Sequence, residues 1–366
     1  MSTIDEMNKC LRITTFIVTI FCLLSCDNTR NKTYSKSGIL VSESTMDEVY
    51  KEVKTPYKYG VVLKHPDTTK MIDSPTVYRE GSHWYMTYIV FDGQGYETWL
   101  AKSKDLLNWE TQGRIMTFTR DTWDANQKAG YMSLVDITWE GSYKVEKYKN
   151  KYWMSYLGGS KEGYETGKLG VGLAHSSSVT EAREWARISQ PVLLPDDQDS
   201  RWFEKGTIFK SIIIRDKEEL TGYPFVMYYN ARGDTAKYES IGMAVSDDMI
   251  NWKRLGSNPL ITRHKGICGD AQIARINNIY VMFYFGAFWK PGAFERFACS
   301  YDLINWTDWD GEDLIAPSTE YDKVYAHKPW VIKYNGIVYH FYNAVGNEGR
   351  VIALATSKDL KQTDDY

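Results

Sequence analysis

The chain has 366 residues, of which 25% are charged, with a formal net charge of −3; that balance offers no basic face for nucleic acid or an anionic membrane. Aromatic residues reach 14%, with 27 Tyr and 13 Trp, a content that suits β-strands and also suits ligands with weakly apolar faces. Five Cys are present, and three of them (Cys10, Cys22 and Cys26) fall near the N-terminus. The two that remain, Cys268 and Cys299, exclude a disulfide scaffold or an ordinary zinc site and leave either one pairing or two buried thiols.

In chain order, the first feature is an apolar run, Ile13 to Leu24, behind Lys9 and Arg12. It is too short to span a bilayer, which takes about 20 apolar residues, and its order of basic, apolar and small residues is that of a secretory signal. The run ends in Leu23-Leu24-Ser25-Cys26, which resembles a bacterial lipobox and makes Cys26 the candidate lipidated residue. An ordinary cleaved signal with an incidental Cys is the alternative. Residues 1–26 are thus expected to be a leader, 27–44 a polar tether, and 45–366 the folded domain.

Within that domain a segment of strand-like character recurs five times: His83-WYMTYIV, Lys151-YWMSYLG, Pro224-FVMYYNA, Ile279-YVMFYFG and Ile337-VYHFYNA. Each carries the period-two pattern and the β-branched or aromatic content of a strand. Each is followed by an Ala-x-Ser strand end, as at Ala101, Ala174, Ala244, Ala298 and Ala355. In three copies this end leads through an Asp to Trp109, Trp252 or Trp306, a turn that Ser and Asp can cap and a Trp can cover. A third element opens the repeats: Asp73-SPTVY, Asp136-ITW, Glu204-KGTIF, Gly269-DAQIA and His327-KPWVI. Four-stranded units repeated around a ring are propeller blades. The fold expected is all-β, a single-domain five-bladed β-propeller with no long helix.

In a propeller the first strand of every blade lines the axis, so the heads of those strands meet at one mouth of the channel. Three openings present carboxylates, Asp73, Asp136 and Glu204. Gathering carboxylates costs repulsion, and glycoside cleavage is a chemistry that uses the result: one acid to protonate the leaving oxygen, one ionised partner to activate water or attack carbon.

The order Asp, Asp, Glu over the first three repeats, with Ser-Lys-Asp-Leu-x-x-Trp at the blade ends, resembles the five-bladed glycoside hydrolases of families 43, 32, 62 and 117. The resemblance runs from about Met71 to Leu360. Carried over, it implies Asp73 as general base, Glu204 as general acid and Asp136 as the residue that tunes the acid, in the inverting scheme of family 43; in family 32 the first Asp is instead a nucleophile. The setting of Glu204, Trp202-Phe203-Glu204-Lys205-Gly206, departs from the family pattern, and an axial His in several of these propellers makes His327 a second candidate for the acid.

Asp270, at the head of the fourth repeat, and Arg232, just past the third aromatic strand, are candidates for holding substrate. Trp123, Trp289 and Trp330 are candidate platforms for sugar C–H faces. The function expected is an exo-acting glycosidase that trims plant or algal polysaccharide fragments at a bacterial cell envelope, touching the membrane only through a lipid. A phosphorylase similar to family 130 and a non-catalytic sugar-binding propeller are the alternatives. No organic cofactor is implied, and an axial divalent cation such as calcium is compatible with the fold, although no acidic loop of calcium type is present.

Overall fold

A computed structural model describes residues 38–235 and 238–361. The leader and its Cys26 lie outside the described residues. The stretch expected to continue as a tether to Ser44 gives way earlier: Val41 is already buried, and helix α1 (Glu43–Val53) follows. Ser42 caps it by accepting from the Thr45 N–H, and Met46, Val49 and Val53, one face at helical spacing, are buried in a cluster with Val281, Phe297 and Trp309. Among the described residues no helix is long and apolar enough to cross a membrane.

The strands form five blades. The first contains β2 (Met71–Glu80), β3 (His83–Phe91), β4 (Tyr96–Ser103) and β5 (Trp109–Met116). The second has β6 (Gln127–Met132), β7 (Tyr152–Gly159), β8 (Gly170–Ser176) and β9 (Ala186–Arg187). The third has β10 (Thr207–Arg215), β11 (Phe225–Arg232), β12 (Glu239–Ser246) and β13 (Lys253–Arg254). The fourth has β14 (Ile267–Ile276), β15 (Ile279–Ala287), β16 (Ala293–Ser300) and β17 (Thr307–Asp308). The fifth joins β18 (Tyr325–Tyr334), β19 (Ile337–Gly346) and β20 (Gly349–Thr356) to the N-terminal strand β1 (Tyr57–Leu63), which pairs antiparallel with β20 and closes the ring.

The five recurring segments are the second strands, β3, β7, β11, β15 and β19. They are buried on both faces, because each blade is packed between two neighbours. Many of the tyrosines stand at these seams: Tyr78 of blade one donates to the Val179 carbonyl of blade two, and Tyr228 of blade three to the Leu303 carbonyl of blade four. A Tyr there buries its ring and still satisfies its hydroxyl. Cys268 and Cys299 are both free and buried.

The expected turn after the third strand is present in three blades with one geometry. Asp105, Asp248 and Asp302 each accept two backbone N–H groups, and Trp109, Trp252 and Trp306 donate back to the carbonyls of Leu106, Met249 and Leu303. Those three carbonyl residues have left-handed backbones (φ 68, 70 and 65°) yet bury their side chains, so packing holds a conformation that glycine would adopt freely.

The first strands share a second device. In β2, β14 and β18 the pairing skips two residues after Asp73, Gly269 and His327, a β-bulge whose first extra residue (Ser74, Asp270 or Lys328) has positive φ. Strand β10 has the same interruption after Ile208. The bulges turn polar side chains toward the axis at one level of the ring.

Candidate active site

Neighbouring strands in a blade run antiparallel, so the heads of first strands and the loops between second and third strands open at the same mouth. Here lies a cavity of about 370 Å³. Its charged lining comes from both sources. Lys210, Asp270, His327 and Lys328 stand on first strands, while Glu165, Glu239 and Arg350 come from second-to-third connections or the residues beside them. Tyr131, Tyr164, Phe209 and Phe288 supply aromatic surface, and Phe288 is 63% exposed at the rim. Below the bulges the axis narrows to a void of about 20 Å³ walled by Met132, Ile212, Gln272 and Trp330. The mouth therefore leads into a dead end.

Asp73 is buried behind the cavity wall, with both oxygens occupied. Oδ1 accepts from the Ser74 N–H and hydroxyl (2.7 and 3.2 Å), and Oδ2 from Lys328 Nζ (3.0 Å) and Arg350 Nη1 (2.5 Å). Burial alone would raise its pKa, but the Lys328 and Arg350 charges hold the carboxyl well below its usual range. Asp73 is a fixed anion that orders two cations.

Glu239 is in the opposite condition. Its carboxylate accepts from the Asn230 amide at 3.1 Å, while burial, and after it the charge of Glu165, pushes its pKa up to about 8 against the weaker pull of Arg232. It stands at the seam of blades three and four, where its N–H donates to the Gly266 carbonyl at 2.9 Å. Glu165 lies in the loop between β7 and β8, in a left-handed backbone (φ 49°), and accepts from the Tyr96 hydroxyl at 3.1 Å. Burial raises its pKa, Lys328 opposes the rise, and Asp73 adds to it. Negative charge on Glu165 thus favours the protonated form of Glu239 across one cavity.

The three carboxylates expected to converge do not. Asp136 lies beyond the far end of β6, because the first strand of blade two is Gln127–Met132 and precedes it. Half-buried there, it accepts from the Thr138 and Ser142 N–H groups (both 3.0 Å) and closes a turn. It borders the far end of the axis, next to Ile212–Ile214 and Ile273. Glu204 is wholly buried inside blade three. Arg201 Nε and Nη2 bind it at 3.2 and 3.1 Å, the Tyr229 hydroxyl at 2.7 Å, and Arg254 Nε lies 2.5 Å away on the outermost strand. Two guanidinium groups and a phenol enclose it, and it does not reach the cavity.

His327 does line the cavity, but burial, helped by Arg350, lowers its pKa to about 3. Its Nδ1 lies 3.1 Å from the Asn343 carbonyl. It is a neutral imidazole near pH 7 and has no imidazolium proton to deliver. Asp270 and Arg232 border the cavity. The tryptophans do not. Trp123 stacks on Tyr156 and covers Gly158, Trp289 donates to the Ile267 carbonyl and packs on Phe294, and Trp330 is 3% exposed and donates to the Val77 carbonyl of blade one. All three are packing residues. No three His, Cys, Asp or Glu side chains among the described residues gather into a metal-holding group.

No family model matches the chain, and no curated protein does. Solved structures do match. A thermostable family-43 glycoside hydrolase shares 14% identity over 82% of this chain and 91% of its own, with a TM-score of 0.59, a likeness of fold. Two far nearer structures, one described as a complex of BT0996 with RGII and one as a glycoside hydrolase, each share 46% identity. Each match covers 89% of this chain and 98% of theirs, with a TM-score of 0.85. Five blades around an acid-lined, dead-end cavity thus define a propeller-type glycoside hydrolase. The chain belongs to the glycoside hydrolase family that includes BT0996.

Proposed function

We propose that the protein is an exo-acting glycosidase that removes a terminal sugar from fragments of a complex plant polysaccharide of the RGII kind, with Glu239 as the proton donor and Glu165 as its ionised partner. The observation that carries this is the pairing of a buried carboxyl, Glu239, with a half-buried one, Glu165, across one cavity, where Glu165 raises the pKa of Glu239 while Lys328 favours the Glu165 anion. When Glu239 keeps the proton, Glu165 ionises next to Lys328. Glu239 then donates to the glycosidic oxygen as the bond to the anomeric carbon breaks. Glu165 either attacks that carbon or takes a proton from the water that does. The closed lower end of the cavity favours a chain terminus over a chain interior, and the RGII complex of the relative BT0996 supports the substrate class. Work at the bacterial cell envelope rests on the leader alone.

Phosphorolysis finds less support, because Lys328 and Arg350 are already spent on Asp73. The test is hydrolysis of a panel of 4-nitrophenyl glycosides and RGII oligosaccharides in phosphate-free buffer, with the first-formed anomer followed by proton NMR. Glu239→Gln should lose about 10²–10⁴-fold on natural linkages and much less on glycosides with good leaving groups, which need no proton. Glu165→Gln should lose as much on both. Full activity in either variant removes the assignment.

A further inference from the structure

Lys210 is a cation of the cavity wall that the chemistry above leaves unused. It follows the bulge of β10 and is 3% exposed, and its Nζ makes no hydrogen bond. The nearest acid oxygen, Asp270 Oδ2, is 3.7 Å away, and the face of Tyr131 lies 5.2 Å off. A second buried lysine shows what a structural role looks like. Lys128 donates to Thr119 Oγ1, the Asp124 carbonyl and the Ala125 carbonyl at 3.0, 2.7 and 3.1 Å. All three of its N–H donors are used, whereas Lys210 has only the longer ion pair with Asp270, and a buried ammonium with donors to spare is costly to the fold.

Asp270 beside it is also committed to the cavity. It holds a left-handed backbone (φ 55°) that turns its carboxylate inward, and Ser74 Oγ donates to it at 3.3 Å. An ammonium and a carboxylate side by side, one donating and one accepting, match two adjacent hydroxyls of a sugar ring. One hydroxyl accepts from Lys210 while its neighbour donates to Asp270.

We propose that Lys210 and Asp270 form a two-pronged anchor for a vicinal diol of the terminal sugar, and so set which sugar the cavity accepts. This rests on the cavity being the glycosidase site proposed above. Burial depresses the Lys210 pKa and Asp270 opposes this, and a diol bound between them would supply the ammonium with the acceptor it lacks.

The experiment compares wild type, Lys210→Met and Asp270→Asn on the 4-nitrophenyl glycoside that the panel identifies, and on its monodeoxy analogues. On the parent glycoside, Lys210→Met should lower kcat/KM by about 10- to 150-fold, the worth of a hydrogen bond to a charged group. One monodeoxy analogue should be equally poor for wild type and for Lys210→Met, so that the two losses do not add. Asp270→Asn should show the same non-additivity with the analogue lacking the adjacent hydroxyl. Lys210→Met also takes the ion-pair partner from the buried Asp270, so a lowered Tm is expected whichever role Lys210 has, and kcat/KM per folded molecule is the reading that decides. An equal loss on every analogue would show a structural role and overturn the anchor. A wild-type protein that cleaves no glycoside would overturn the site itself, whereas an active wild type matched by Lys210→Met would overturn the anchor alone.

Discussion

Blade three contains two buried glutamates that the fold treats in opposite ways. Glu204 is enclosed by Arg201, Arg254 and Tyr229, so its charge is matched and its lone pairs are filled. Glu239 is hydrogen-bonded to the Asn230 amide, and its carboxyl keeps a proton up to about pH 8. Burial alone therefore does not mark a catalytic acid. What matters is whether the surroundings neutralise the anion or leave it costly, because only a costly anion holds a proton at neutral pH.

The sharpest way to break this comparison is Glu204→Gln. Removing the anion leaves the buried Arg201 guanidinium without its carboxylate, although Arg254 keeps Asp197 and Asp199, and breaking a buried pair costs about 3–5 kcal/mol. Urea unfolding should show that loss, while kcat/KM per folded molecule stays at the wild-type level. A folded variant with abolished turnover would return Glu204 to the chemistry.

A smaller effect, and one specific to the cavity, is the pH dependence. The competent form of Glu239 is protonated, so activity should persist through neutral pH and fall about tenfold per unit above about pH 8. On a glycoside with a good leaving group, Glu239→Gln should lack that alkaline limb. A limb that survives the substitution would have another owner.

The mildest change is Asp136→Asn. Its side chain closes a turn at the far end of the axis, so stability should fall by no more than about 1 kcal/mol and kcat/KM should stay within about twofold of wild type. A loss of orders of magnitude would mean that the far end of the ring communicates with the mouth.

The ring itself was legible in the sequence because its second strands are repeated with little disguise, and so are the Ser-Asp-Trp turns. The axial register was legible where a bulge recurs: Asp73, Gly269 and His327 pair with Ile89, Phe285 and Asn343 at equivalent points. It failed in blade two, whose first strand, Gln127–Met132, pairs without a bulge and resembles none of the other openings. Asp136-ITW imitates an opening there, although it follows the first strand instead of beginning it. In blade three Glu204 precedes β10, and the turn it occupies folds back toward Arg254.

Glu165, Glu239 and Arg350 escape a repeat search for a different reason. Glu165 lies in the connection between second and third strands and Glu239 and Arg350 at the starts of third strands, where connection lengths vary and carry no repeat. Topology nevertheless sends those connections to the same mouth as the first-strand heads. Scanning them for acids would have found Glu165 and Glu239 as the residues that flank the third strands of blades two and three.

The N-terminal strand that completes blade five has a consequence for when this enzyme can first act. Strand β20, which bears Arg350 next to its start, is held between β19 and β1. The guanidinium that steadies Asp73 is thus latched by a strand made before the other blades, on a strand made after them. A polypeptide still emerging from the ribosome carries Glu165 and Glu239 before it has that latch, and the cavity gains its finished surroundings only when β1 and β20 pair.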